Sequence, residues 1–438
     1  MNSRPESPRL AWITLITSLL ICLGVWRWSL NILAPANAMV VQAAARPVGN
    51  NSDLYPRWLG AREVILHHRD PYSAEVTRES QIGFYGRPLN PRNPNDPTAK
   101  ESFVYPLYVT FLLAPFVTLP FSVVSEIFRW LLLASIMLSV PLWMSAFRYR
   151  ARWQFVLSGM LLAGSTFSAV EEYFQQNLAA LVMLFVAAAA AATARRNLVR
   201  GGFFLALATV KPDTTGLMVS FLLFWSAGRR ERQPLLWAFL GTWGGLILGA
   251  EIISPGWLRH FFAAVWEYPS YGVDPNIVQV LFPGLLGTAV LVALVLSLIA
   301  AAWLGRNAPA DSEKFSVTLA WIGAVTLVVL PKLAAYNALL LIPAFLVLLR
   351  PNSAAWNGFF TRAATKAAFA CQSWQWATAA SLSLGSVFLP IGPIRAAAQV
   401  PLYTVFALWP ITLLALLGLT FSQRTDPNFS PKEKHGSI

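Results

Sequence analysis

Asn50-Asn51-Ser52-Asp53-Leu54-Tyr55 opens a polar segment that runs to about Glu101. It follows one hydrophobic run and precedes a chain made almost entirely of apolar, helix-length runs. No other interruption between apolar runs matches it in length and polarity. A polytopic chain keeps its ionisable chemistry at the boundary with water, where charge costs least and a lipid is still within reach. The reading therefore places an anchor before this segment, a helical bundle after it, and a candidate site within it.

Composition supports that frame. Of 438 residues, 56% are hydrophobic and 12% are charged, where a soluble domain averages about 25% charged. The mean hydropathy is +0.53. The length suffices for roughly a dozen spans of about 20 residues. The formal net charge is +13, which in a soluble protein suggests nucleic acid. Here the Lys and Arg residues sit in short links between apolar runs, so they read as topology signals and no nucleic-acid partner is expected. Cys22 and Cys371 both fall in apolar runs. That excludes a disulfide framework, and neither has His or Cys neighbours for a metal site.

The first apolar run, Leu10 to about Leu33, is too long for a signal-peptide core and lacks a small-residue cleavage site, so it reads as a retained anchor. Arg4 and Arg9 before it place the N-terminus (1–9) in the cytoplasm and the first loop (34–102) outside. Leu54, Trp58, Ala61 and Ile65 recur at helical spacing, which predicts an amphipathic helix lying in the interface. Residues 86–98 are dense in turn formers and read as a mobile loop. Phe103 to about Pro120 is apolar but short and Pro-bounded, either a thin span or a re-entrant helix. With that segment kept outside, every later basic cluster falls in the cytoplasm: Arg148 to Arg152, Arg195 to Arg200, Arg229 to Arg232, Arg306, Arg350 and the tail (422–438). About twelve spans result, in an all-α polytopic bundle of 10–350 followed by C-terminal helices over 351–421.

This register gathers the outer polar residues into one layer. It holds Asp53, Arg57, the group His67 to Tyr72, Tyr105, Glu171, Glu172, Gln175, Gln176, Asn177, Lys211, Asp213, Lys332, Tyr336 and Asn337. Such a layer suits sugar transfer from a lipid phosphate: a carboxylate takes a proton from the acceptor hydroxyl, cations hold the departing phosphate, and hydroxyls or amides orient a sugar. Each residue also has a structural reading. Asp53 precedes a predicted helix and is a candidate N-cap. Lys211 interrupts an apolar stretch, a costly position unless it binds a phosphate or pairs with a carboxylate such as Asp213; Pro212 breaks the helix there. Glu171 and Glu172 are candidate helix caps, Gln175, Gln176 and Asn177 can bond between helices, and Lys332 can snorkel to the interface. His67 and His68 are adjacent, point different ways on a helix, and lack metal-ligand spacing.

Asp53-Leu54-Tyr55, Arg69-Asp70-Pro71-Tyr72, and Tyr105-Pro106-Leu107 with Ala114-Pro115 resemble the opening signature of the GT-C membrane glycosyltransferases of family GT87 (the DUF2029 group). Gln175-Gln176-Asn177 resembles that family's Gly-Gln-x-Asn segment. Ala206 to Pro212 resembles its Lys-Pro segment, and Leu330-Pro331 through Leu341-Ile342-Pro343 its late outer loop. The ordered match covers roughly 10–350. The resemblance implies a hexosyltransferase, typically a mannosyltransferase, that uses a polyprenyl-phosphate sugar at the outer face of the cell membrane. It also implies an inverting displacement with Asp53 as general base. The donor phosphate then falls to Lys211, Arg57 and Lys332, and the sugar and acceptor to Asp70, Tyr72, Tyr105, Glu172, Gln176, Asn177, Tyr336 and Asn337. No cofactor is expected beyond that donor, and a divalent metal is left open. Three segments depart from the pattern: Tyr336-Asn337 stand where many relatives carry a His pair, Gln175 where Gly is usual, and Asp213-Thr214 where a second proline is usual.

Two other classes share the hydropathy. A transporter or lipid-linked sugar flippase explains the spans but predicts polar groups near the bilayer midplane rather than a single long polar loop. A non-enzymatic assembly subunit retains the same architecture without chemistry.

Overall fold

The computed structural model describes residues 7–43, 49–90, 92–93, 96–270, 275–331, 333–350, 356 and 358–425. All regular structure among the described residues is helical. The anchor α1 (Pro8–Trp28) passes through a π-helical turn, Ser29–Leu33, into α2 (Ala34–Ala43). Pro35 accounts for the wide turn: it offers no N–H to the carbonyl of Asn31 and its ring crowds that carbonyl, so the preceding turn opens rather than breaks. The anchor is therefore longer than hydropathy predicts, a candidate span of 35 residues over Pro8–Gln42.

The polar segment folds into α3 (Leu54–Leu66) and α4 (Ala74–Tyr85). The interfacial reading of α3 is corrected. Its buried residues, among them Leu54, Trp58, Leu59, Gly60 and Val64, fall on every face of the helix. Phe103 covers it so closely that a Cβ at Gly60 would lie 2.3 Å from the ring. The amphipathic helix is instead α4, which buries Val76, Ser80 and Phe84 at four-residue spacing. Ser73 caps its start by accepting from the Val76 N–H, and Gly86 ends it at φ 77°.

Within 86–98, expected as a mobile loop, the described residues are tied together by Asp96. Asp96 accepts two hydrogen bonds from the Arg87 guanidinium, at 2.6 and 2.8 Å, and others from the Asn90 N–H and the Asn93 amide. The Arg87 bonds first, then the Asn90 N–H, hold its pKa at about 2.

Phe103 to Pro120 does not cross a membrane. It forms α5 (Val109–Leu113) and one 3-10 turn, Ala114–Phe116. Eight residues reach roughly 12 Å, against about 30 Å of hydrocarbon. The bundle follows: α6 (Phe121–Ala146), α7 (Trp153–Ala163), α8 (Phe167–Gln175), α9 (Ala179–Ala194), α10 (Leu198–Leu207), α11 (Pro212–Ala227), α12 (Gln233–Ile253), α13 (Trp257–Glu267), α14 (Ile277–Leu281), α15 (Leu285–Gly305) and α16 (Glu313–Val329). The 3-10 segment Ala335–Leu341 leads into α17 (Ile342–Leu348), and α18 (Phe359–Phe388), α19 (Ile391–Ala396) and α20 (Leu408–Thr425) complete the chain.

Among the described residues five helices are long and apolar enough to span, or six if α7 and α8, bent by 57°, form one span. The figure of about twelve read from hydropathy is not reached. Several apolar segments form helices shorter than a bilayer, such as α9 and α11 with 16 residues each. The first is packed inside the bundle, where burial by protein replaces burial by lipid, while α11 keeps Leu217 and Phe224 exposed on one side.

The basic links converge. Arg232 donates to the carbonyls of Arg306, Asn307 and Ala308, Arg350 donates to that of Phe147, and Arg148 pairs with Asp311. From that end α9 leads back from Arg195 toward Asn177, roughly 24 Å. The helix α11 leads back from Gly228 to Lys211 in the same sense. The candidate site lies at this second end.

Candidate active site

Asp53 stands at the N-cap position of α3, yet its side chain makes no capping bond. Its backbone N–H donates 2.7 Å to the Gln175 carbonyl, and its Oδ2 accepts 2.7 Å from Asn177 Nδ2. The local alternative, a cap, is thus unused. The first loop is instead docked on the α8–α9 corner, and the other oxygen of Asp53 carries no hydrogen bond among the described residues.

The corner is built for this. Thr166 caps the start of α8, and Gln176 ends it in the left-handed region at φ 56°. The buried Gln176 amide is fully used: its oxygen accepts from Ser52 Oγ at 2.6 Å, and its nitrogen donates to the Ser125 Oγ at 2.8 Å and the Ser125 carbonyl at 3.0 Å. It braces the first loop against α6 beside the site. Asn177 Oδ1 and Glu172 Oε1 accept from the N–H groups of Ala179 and Ala180, capping α9. The positive end of α9 thus faces Glu172 and Asp53, which favours carboxylates there.

Cations complete the cluster. Arg57 donates 2.6 Å to the Asp53 carbonyl and lies 4.6 Å over the Tyr105 ring. Burial works against its charge, but Tyr105, Asp53, Glu101 and Tyr336 around it more than offset this, and its pKa is raised. Lys211, at the break between α10 and α11, donates 2.7 Å each to Asp213 Oδ2 and Thr214 Oγ1. Its side chain is 6% exposed against 59% for Asp213, so the pair is buried on the lysine side only. Lys211 Nζ lies 6.0 Å from the Tyr336 ring centroid, and Glu172 lies in electrostatic range of both Lys211 and Asp53. The Tyr336 N–H donates to Glu171 Oε2. Arg57 Nε, Glu172 Oε2 and Asn337 Oδ1 are among the buried polar atoms without a partner among the described residues; others, such as Trp143 Nε1 and Gln372 Nε2, lie elsewhere in the bundle.

Asp53, Arg57, Tyr105, Glu172, Asn177, Lys211, Tyr336 and Asn337 are therefore brought to one region. Lys332 lies outside the described residues. Asp70 and Tyr72 lie to one side. Asp70 accepts from the Tyr72 N–H and pairs with His260 of α13 at 2.9 Å, while Tyr72 Oη donates 2.7 Å to the Tyr105 carbonyl. They line a cavity of about 1130 Å³ that opens beside the cluster rather than on Asp53. Sequence reasoning assigned no role to Thr214, Glu101 or His260. Thr214 was findable, because it follows the Lys-Pro break by two positions; Glu101 and His260 carry no local signal.

A carboxylate held at one oxygen, with two half-buried or buried cations nearby, can accept a proton from a hydroxyl while negative charge gathers on a leaving group. The profile of glycosyltransferase family 87 matches residues 103–331. The chain belongs to glycosyltransferase family 87. As a family 87 member it is a glycosyltransferase, an enzyme. The matched region contains Tyr105, Glu172, Gln176, Asn177 and Lys211, whereas Asp53, Arg57 and Tyr336 flank it in sequence and meet it in space. No curated protein and no solved structure matches the chain.

Proposed function

We propose that this family 87 glycosyltransferase moves mannose or another hexose from a polyprenyl-phosphate donor to a lipid or glycan acceptor, with inversion, at the outer face of the cell membrane. The observation that carries the reading is Asp53, held by Asn177 at one oxygen and without a hydrogen bond among the described residues at the other, beside Arg57, with Lys211 and Asp53 both in electrostatic range of Glu172. The acceptor hydroxyl oxygen forms a bond to the anomeric carbon as the bond from that carbon to the phosphate oxygen breaks. The hydroxyl proton passes to Asp53, and the electron pair leaves with the polyprenyl phosphate. Arg57 and Lys211, joined by Lys332, take up the charge on that phosphate. Lys211 reaches it by exchanging the exposed Asp213 for the incoming anion. Glu172 and Asn337 supply buried oxygens for the sugar, with Tyr336 beside Lys211.

The outer-face assignment is supported by the convergence of the basic links at the end remote from Asp53, since Lys and Arg mark the cytoplasmic side. Incorporation of label from a polyprenyl-phosphate [¹⁴C]mannose donor in reconstituted vesicles tests the reading. The wild-type chain is expected to transfer label and Asp53→Asn to lose it by about 10²–10⁴-fold. Undiminished turnover in Asp53→Asn removes the proposed base.

A further inference from the structure

The cavity beside the cluster is walled by α4, described residues of the 86–102 loop and α13; His260 Nδ1 lies 2.9 Å from Asp70 of the α3–α4 link, and Glu267 pairs with Lys100 of the loop. Its volume of about 1130 Å³ slightly exceeds the roughly 300–1000 Å³ of a small-ligand site. Its floor is aromatic. The rings of Tyr72 and Phe103 meet edge to face at 5.2 Å, and His260 lies 6.5 Å from Tyr72. Its walls interleave small apolar residues, such as Ala74 and Ala263, with polar ones of mixed sign, Thr77, Arg78, Lys100 and Glu267 among them.

That mixture discriminates between ligands. A lipid tail needs apolar walls, and a polyanion needs an excess of cations. An oligosaccharide needs flat rings under its C–H faces and many donors and acceptors for its hydroxyls. The helix α13 fixes where this ligand comes from. His260, Ala263, Ala264 and Glu267 face the cavity. Leu258, Phe262, Val265 and Trp266 are exposed on the opposite side, the pattern of a helix seated in the membrane surface. The cavity therefore opens at headgroup level. Its floor also reaches the catalytic cluster in three contacts: Tyr72 to Tyr105, Tyr105 to Arg57, Arg57 to Asp53.

Resting on the transferase reading above, we infer that this cavity is the acceptor subsite and that it binds the oligosaccharide part of the acceptor, several sugar units long, beneath the membrane-seated helix α13. Arg78 is exposed on α4 with no partner among the described residues, and its five donors suit sugar hydroxyls.

The test uses the full chain in nanodiscs. With the acceptor that supports wild-type transfer, Arg78→Ala is expected to raise acceptor KM by about tenfold, the loss of one to two hydrogen bonds, and Thr77→Trp, which narrows the cavity, to raise it by at least as much, with donor KM unchanged. Unchanged acceptor KM in both variants, or an equal rise in donor KM, overturns the assignment. A second arm needs no turnover. Thr77→Cys, with Cys22 and Cys371 replaced by Ser, is labelled with a water-soluble maleimide in the presence of free mannotriose, of mannotriose on a lipid anchor, and of the bare anchor. Protection by either sugar-bearing compound supports the subsite, and their ratio separates a free glycan from a glycolipid headgroup. Protection by the bare anchor alone, or by none of the three, overturns it. A wild-type chain that transfers no label sinks the transferase reading instead and leaves the protection arm to judge the cavity.

Discussion

Asn177 donates a 2.7 Å hydrogen bond to Asp53 across 124 residues of chain. The bond spends one oxygen of the carboxylate and fixes the direction of the other. A carboxylate that caps its own helix would be pinned by local N–H groups instead. Here the N-cap position is occupied and the cap is not made, so the loop's orientation depends on the α8–α9 corner.

Replacing Asn177 by Asp sets a second carboxylate against the first. Like charges at that distance resist joint ionisation. The acidic limb of the pH–rate profile is expected to move upward by about one pH unit or more, while Asn177→Ala, which only removes a donor to the ionised carboxylate, lowers kcat and moves the limb upward by less. An unshifted profile in Asn177→Asp shows that Asp53 does not titrate in the reaction.

Lys211→Ala is expected to raise donor KM by about tenfold, a single charge-assisted contact, with acceptor KM nearly constant. Stability should change little, because the Asp213 left behind is largely exposed and an exposed charge is readily hydrated. Steady-state kinetics with each substrate varied in turn checks this. Equal effects on both substrates argue for a structural role of the lysine.

The Asp96 pin gives a prediction in pH. Its folded-state pKa, about 2, lies below the ordinary carboxylate value of about 3.9. Its contribution to loop order is therefore complete above that ordinary value and is lost as pH falls from there through about 2. Pepsin cleavage within 86–98 should accelerate over that window. Asp96→Asn should expose the same sites to neutral proteases at neutral pH, where the wild-type loop resists.

Arg78 and Arg196 are both exposed and lie at opposite ends of the bundle. Single cysteines at these positions, in a background lacking Cys22 and Cys371, should react with an impermeant maleimide from opposite sides of the membrane, position 78 from outside. Labelling of both from one side overturns the assigned orientation.

Some of the fold was legible because its cause is local. Pro212 breaks a helix wherever it sits beyond the first turn, and the Lys-Pro junction duly separates α10 from α11. The buried α3 was misread because periodicity records which positions are apolar, not how many neighbours cover them; Phe103, far along the chain, decides that.

Sequence alone determined the helical membrane class, the one polar segment of consequence, and the residues from which a site could be assembled. Those follow from side-chain chemistry summed over short windows. The tertiary structure decided the rest: that Asn177 orients Asp53, that Gln176 ties Ser52 to Ser125, and that Asp70 and Tyr72 line a separate cavity beside α13. Hydrogen bonds between residues distant in the chain are set by how helices pack, and no local stretch of chain encodes that packing.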